Sequence, residues 1–244
     1  MGHKCGVEMN RGAVPLPEGE GDLSIANSFT RSARRGMRRR CFIRRPLVAF
    51  SVKIPPVHFL REFLTTPAVI GAVVPSSEHL ARTMLAGLDL RNARTVLEYG
   101  PGTGIVTDHI RREISPHTSL VAIEINPRMA ALFKQRHPDV QLFQDTVANA
   151  RMICDYAGMD FVDCIVSGLP WSTFSHPLQV TVLNETMRVL KPGGSFVTFA
   201  YIHGLALPTG RRFANLLQEY FRVVSKSPVI WRNVPPALVY RCRR

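Results

Sequence analysis

Glycine occupies every second position of Gly100-Pro-Gly102-Thr-Gly104, directly after the apolar run Val96-Leu97-Glu98-Tyr99. A run of that kind reads as a buried strand breaking into a loop and then a helix. Glycines there free the backbone and let a ligand approach the main chain. Glu98 stands at the end of the run. Two further carboxylates follow at spacings suited to alternating strands and helices: Glu124 closes Ser119–Glu124, and Asp145 follows Val140–Phe143. Carboxylates at strand ends accept hydrogen bonds from hydroxyls and exocyclic amines, so the three mark the rim of a nucleoside pocket.

A glycine-rich turn after a strand also serves dinucleotides, with an acidic residue about 20 positions further on. Glu124 lies at that distance. The dinucleotide fingerprint, however, places its last glycine three residues after the second, where a helix N-terminus cradles a pyrophosphate. The pattern E-x-G-x-G-x-G at Glu98, Gly100, Gly102 and Gly104 instead resembles motif I of the class I S-adenosylmethionine-dependent methyltransferases. The resemblance implies S-adenosylmethionine as cofactor, ribose hydroxyls on Glu124 and the adenine amino group near Asp145. The implied cofactor set also includes Ile125, Thr146 and the loop residues Ser167, Gly168 and Leu169.

That second loop follows the run Asp160–Ser167 and reads Ser167-Gly168-Leu169-Pro170-Trp171. In this class it lies against the methyl donor. Enzymes that methylate planar exocyclic amines, including the rRNA adenine dimethylases, carry Asn or Asp at the head of an N-x-P-Y type motif. Aligning Pro170-Trp171 with that motif puts Gly168 at its head, where no side chain can accept a hydrogen bond. An alkyl ammonium is already tetrahedral and needs only desolvation and loss of a proton, so an aliphatic amine is the better fit. Trp171 is placed either on the cationic reactants through its ring or in the core as an anchor.

Alternating segments must position these loops. Strands are expected at Arg94–Glu98, Leu120–Glu124, Val140–Phe143, Asp160–Ser167 and Ser195–Tyr201. Helices are expected at Thr103–Ile114, from Pro127, at His176–Leu190 and at Arg211–Phe221. Leu190–Gly194, LKPGG, reads as a turn. Phe221–Trp231 and Ala237–Cys242 form an antiparallel pair at the sheet edge. Upstream, Val57–Leu64 has the spacing of a short amphipathic helix, and Ser76 or Ser77 can cap a helix through His79–Leu88. The expected organisation is a basic, disordered extension over 1–53 and a methyltransferase domain over 54–244, with N-terminal helices over 54–92 and the catalytic core over 93–244.

The formal charge of +13 over 244 residues is uneven. Residues 1–53 hold eleven Lys or Arg against four acids, and Arg31–Arg45 contains eight arginines. Such a run binds polyanions, either nucleic acid or an anionic membrane surface; it also fits a solvated tail, or residues upstream of a later start such as Met37. No stretch approaches the roughly 20 apolar residues needed to span a bilayer. Cys5, Cys41, Cys154, Cys164 and Cys242 are odd in number and form no C-x-x-C, which indicates free thiols in a reducing compartment and no metal site.

From about Phe59 to Arg244 the chain resembles the bacterial phospholipid N-methyltransferases. The landmarks are FLREFLTTPAVIGAVVPSS, VLEYGPGTG, VSGLPW, LKPGG with its following FAY, and WRNVPPALVYR. The resemblance implies a Rossmann-like α/β fold with a mostly parallel seven-stranded sheet, helices on both faces and an N-terminal helical extension. It implies methylation of a lipid head-group amine, phosphatidylethanolamine first, at the inner face of the cytoplasmic membrane. Tyr201, Trp171, Arg232 and Asn233 become candidate substrate contacts, with the arginine meeting a lipid phosphate. Tyr201, His203, His58 or water would take the ammonium proton. Another aminolipid such as an ornithine lipid, or an rRNA adenine, are the alternative acceptors; Gly168 argues against RNA.

Overall fold

The structure, a computed structural model, describes residues 78–244. The Arg-rich extension, the Val57–Leu64 stretch, His58 and the Ser76 and Ser77 caps lie outside the described residues. Within 78–244 the chain runs α1 (Glu78–Leu85), β1 (Thr95–Tyr99), α2 (Ile105–Glu113), β2 (Ser119–Ile123), α3 (Pro127–Arg136) and β3 (Gln141–Phe143). It continues through α4 (Ala150–Tyr156), β4 (Val162–Ser167), α5 (His176–Val189), β5 (Leu190–Tyr201), α6 (Ile202–Ala206), α7 (Pro208–Tyr220), β6 (Val223–Lys226) and β7 (Ala237–Arg243).

The seven strands form one sheet in the order β3-β2-β1-β4-β5-β7-β6. β1 pairs in parallel with β2 and β4, β2 with β3, and β4 with β5. β7 runs antiparallel to both β5 and β6. The mostly parallel seven-stranded sheet expected from the sequence is therefore present, including the antiparallel edge.

Strand residues alternate between two apolar layers, because successive side chains leave opposite faces of a sheet. Val96, Cys164, Val166, Val197 and Val239 join Leu80, Met84, Val106 and Ile110 of α1 and α2 on one face. Leu97, Tyr99, Ile165, Phe196 and Tyr240 join Ile153, Val182, Phe213 and Leu217 of α4, α5 and α7 on the other. α3 covers the β2–β3 end through Ala130 and Phe133 against Ala122 and Leu142. A sheet buried on both faces explains strands that read as apolar runs.

Local chemistry sets the helix starts. Asn126 caps α3 by accepting from the Arg128 and Met129 amides, with Pro127 in the first turn. α2 begins at Ile105, two residues later than expected, because Gly104 at φ 84° is left-handed and closes the helix at that end. α7 begins at Pro208, three residues earlier than expected, since proline suits a first helical turn. LKPGG is a bulge rather than a terminating turn: pairing with β4 jumps from Val162↔Leu190 to Cys164↔Ser195, with Gly193 at φ 72°. The sequence gives no warning of α4 or α6, each under two turns long.

Asp163 fixes the register of β1 on β4. Its Oδ2 accepts from the backbone amides of Arg94 (2.7 Å) and Thr95 (2.9 Å) and from the Thr95 hydroxyl (3.1 Å), while Oδ1 pairs with Lys191. Burial acts to raise its pKa, but Lys191 and these donors outweigh it and hold it below the usual carboxylate value. Its contribution to stability is therefore present above the ordinary carboxylate range and lost as pH falls through the depressed value. Replacing Asp163 by Ala should lower stability by about 2 kcal/mol at pH 7 and by progressively less toward pH 3, as read by urea denaturation across that range.

Candidate active site

Strand order reverses at β1: the chain proceeds outward to β2 and β3, then crosses back to place β4 on the other side. In open α/β sheets the crevice at the carboxyl ends of the strands flanking such a point takes ligands. The loops after β1 and β4 meet there. The Gly168 amide donates to the Tyr99 carbonyl at 2.7 Å, and a Cβ on Gly168 would lie 2.5 Å from the Gly100 oxygen. A Cβ on Gly100 would in turn strike the Leu169 side chain at 2.9 Å. The backbone contact requires glycine at 168, and the left-handed φ of 63° favours it at 100. Gly102 differs: a Cβ there would meet nothing within 4 Å, so its backbone faces open space at φ 57°.

Two buried carboxyls flank this loop. Glu98, 2% exposed, accepts the Thr107 hydroxyl of α2 at 2.7 Å. Desolvation pushes its pKa up to about 8; the Thr107 bond lowers it in part, and the charges of Glu124 and Asp108 push it further up. Glu124 follows β2 and accepts the Gly102 amide at 3.1 Å and the Asn126 amide at 2.8 Å. Its pKa is also raised by burial, against the pull of those backbone donors. Ile125 lies between Glu124 and the α3 cap. Asp145 sits in the loop after β3, where Oδ1 accepts the Thr146 amide (2.6 Å) and the Asn149 side chain (3.0 Å). Thr146 caps the next turn by accepting the Ala148 amide.

The opposite wall is built from core. Ser167 is fully buried, and its hydroxyl accepts the Trp171 indole N–H at 3.1 Å. Trp171 is 1% exposed, stacked on Phe213 at 4.5 Å and bordered by Phe174 and Phe196. The expectation that Trp171 contacts substrate is corrected accordingly: its ring is enclosed by the aromatic core and anchors the loop from beneath. Asn233 is corrected on similar grounds. It is 3% exposed and donates to the Pro235 carbonyl at 2.7 Å, which ties down its own loop.

Tyr201, at the end of β5, is half-buried and stacks on His203 at 5.5 Å, the two rings nearly parallel. Burial raises the Tyr201 phenol above its usual value. His203 is exposed. Arg232 is exposed in the β6–β7 loop and donates to the His79 Nε2 at 3.0 Å. The parallel strands end at one edge of the sheet, so the glycine loop, Glu124, Asp145, Gly168, Tyr201 and His203 all lie along it.

Sequence reasoning missed His137. This residue at the end of α3 is 1% exposed and lies 33 positions from Gly104, yet its Nε2 is 3.1 Å from the Gly104 carbonyl. Arg111 approaches Nδ1 at 3.1 Å. A guanidinium can only donate, so Nδ1 accepts and Nε2 carries the hydrogen given to Gly104. The imidazole fills the space behind Gly104 that a Cβ would need. It thereby holds the left-handed turn that closes the loop.

The Methyltransferase domain family model matches residues 96–194. The chain is 30% identical over 188 residues to the ornithine lipid N-methyltransferase of Singulisphaera acidiphila, covering 76% of this chain and 94% of the relative. It is 27% identical to a ubiquinone/menaquinone biosynthesis C-methyltransferase of Geobacter sulfurreducens, over 61% of each chain. An O-methyltransferase structure from Bacillus cereus superposes with a TM-score of 0.55 at 15% identity, over 79% of this chain and 94% of that one. Sheet order, glycine loop and family match define the class I methyltransferase architecture. The chain belongs to the class I S-adenosylmethionine-dependent methyltransferases and within them is lipid N-methyltransferase-like.

The enzyme uses S-adenosylmethionine, and the residues present fit it. The cofactor's ammonium and sulfonium are cationic, and the crevice holds two desolvated carboxyls beside an open glycine backbone. Glu98 leads to a signed expectation. A carboxyl raised in the folded state lets stability be full below the ordinary value near 4.5 and lose it as pH rises through about 8. The cofactor-free protein should therefore lose thermal stability between pH 5 and 8, and Glu98→Gln should flatten that slope. Cofactor affinity of the parent chain should rise over the same interval, as measured by calorimetric titration. For His137, Ala should cost about 2 kcal/mol and weaken cofactor binding, whereas Gln, which retains a donor, should recover part of both; equal losses in the two variants would deny the hydrogen bond its role.

Proposed function

We propose that the enzyme transfers methyl groups to the primary amine of an aminolipid, with an ornithine lipid as the first candidate acceptor and phosphatidylethanolamine as the second. The amine class rests on Gly168. The close approach of its backbone to the Gly100 carbonyl excludes the Asn or Asp oxygen that a planar exocyclic amine would use. The lipid class is supported by similarity to the Singulisphaera acidiphila enzyme over nearly its full length. That similarity moves ornithine lipid ahead of phosphatidylethanolamine, the reverse of the order expected from sequence.

S-adenosylmethionine supplies an electrophilic methyl group. In this reading Glu124 takes the ribose hydroxyls, Asp145 lies at the adenine, and Glu98 with the Gly100–Gly104 backbone receives the amino-acid end. Backbone groups at Gly168 and Leu169 orient the acceptor amine against the methyl donor. The amine must lose a proton before its lone pair is free. A phenol whose pKa is raised stays protonated at neutral pH, so Tyr201 orients the amine and His203 is the better proton acceptor. Arg232, a planar donor at the same edge, suits the acceptor's anionic group.

The test is mass spectrometry of products after incubation with S-adenosylmethionine and vesicles carrying ornithine lipid, phosphatidylethanolamine or neither, with bulk RNA in parallel. Mass gains in steps of one methyl on ornithine lipid are the expected result. Gains only on phosphatidylethanolamine would keep the chemistry and restore the other acceptor; methylation of RNA alone, or of nothing offered, would overturn the reading.

A further inference from the structure

The β6–β7 loop presents large apolar side chains to solvent. Trp231 is 73% exposed and Val234 68% exposed. Two such side chains within four residues form a small apolar patch, and apolar patches rimmed by polar groups mark interaction surfaces. The loop's place in the sheet gives this one meaning. Tyr201 pairs with Ala237, the Ile230 amide donates to the Ala237 carbonyl, and the Ile202 amide donates to the Pro236 carbonyl at 2.9 Å. Residues 231–236 therefore project beyond the carboxyl end of β5, beside the acceptor side of the active-site edge. Leu207, 46% exposed, leads into α7 at that same edge.

The C-terminal segment that carries the loop is strongly basic. Residues 201–244 contain eight Lys or Arg and a single acid, Glu219. Glu219 sits in the last turn of α7, at the far edge of the sheet. Arg211 and Arg212 occupy the first turns of α7 and are exposed, as is Arg232. An indole with Val234 and Arg232 in the same loop, at an edge that also carries Arg211 and Arg212, matches a membrane interface: the ring seats at head-group depth, and the cations meet anionic lipid. Glu78, next to the His79 that Arg232 contacts, is paired with Arg82, so the loop's own cations stay in excess.

We propose that the β6–β7 loop is a bilayer-docking lip, with Trp231 and Val234 entering the interfacial region of an anionic membrane and thereby setting the active-site edge against the surface that holds the acceptor. The inference rests on the aminolipid reading above. It assigns membrane contact to a folded element of the catalytic core, separate from the arginine-rich residues 31–45.

Two tryptophans make the test direct. Trp171 is sealed in the core and Trp231 is open to solvent, so quenching by aqueous acrylamide reports on Trp231. The full chain would be mixed with phosphatidylglycerol–phosphatidylcholine vesicles, which carry no primary amine, with and without bromine on the acyl chains. Docking should shift emission to the blue, reduce acrylamide quenching severalfold and introduce quenching by the brominated chains; Trp231→Ala should abolish all three. In methyl-transfer assays Trp231→Ala should slow transfer to vesicle-borne ornithine lipid at least tenfold, while transfer to the same lipid dispersed in detergent micelles changes less than twofold.

The proposal is overturned if vesicles sediment the protein while Trp231 stays fully quenchable, because binding then runs through another segment. It is also overturned if Trp231 is already shielded without vesicles, if only RNA shields it, or if Trp231→Ala slows vesicle and micelle reactions equally. Absence of methyl transfer to every aminolipid, with the fluorescence response intact, would remove the proposed acceptor and leave the docking surface standing.

Discussion

Backbone meets backbone where β1 and β4 leave the middle of the sheet, and the rest of the site depends on that contact. Gly168 donates to the Tyr99 carbonyl and lies so close to the Gly100 oxygen that it has no room for a side chain, while Gly100 takes a left-handed turn at φ 63°. The floor of the crevice is thus made of peptide groups, whose positions follow from strand register rather than from rotamers. Register is fixed in turn by Asp163, which holds the first amides of β1 from the neighbouring strand. Chemistry at the carboxyl edge is positioned by a carboxylate near the opposite one.

Electrostatics reinforce that geometry. Placing Glu98 and Glu124 in a desolvated wall disfavours their ionised forms while the crevice lacks a cation. A cationic ligand supplies what the protein withholds, so binding and ionisation favour each other. The protein forgoes some stability of its own to make that preference.

Much of this was legible in the sequence because the signals were local. The glycine loop, the carboxylates ending two strands and Pro127 each identify an element within a few residues. Errors arose where the deciding contact is distant. Trp171 reads equally well as a substrate platform or an anchor until Phe213, 42 positions later, is seen to stack on it. Asn233 looks like a head-group ligand beside Arg232, yet its amide turns back onto its own loop. His137 carries no motif and ends an ordinary amphipathic helix; only the packing of α3 beside α2 brings it behind Gly104. LKPGG has the composition of a helix stop, and the same glycines served a bulge because β4 continues pairing beyond it.

The antiparallel seventh strand also closes the sheet's exposed side. β6 touches the sheet only through β7, which lies between it and β5. β6 precedes β7 in the chain and can pair with it as a hairpin, but β5 keeps a free edge until β7 docks along it. Up to that moment β5, with Phe196, Val197 and Phe199, offers an open apolar edge. The strand that completes the sheet is therefore also the one that ends the nascent protein's exposure to wrong partners.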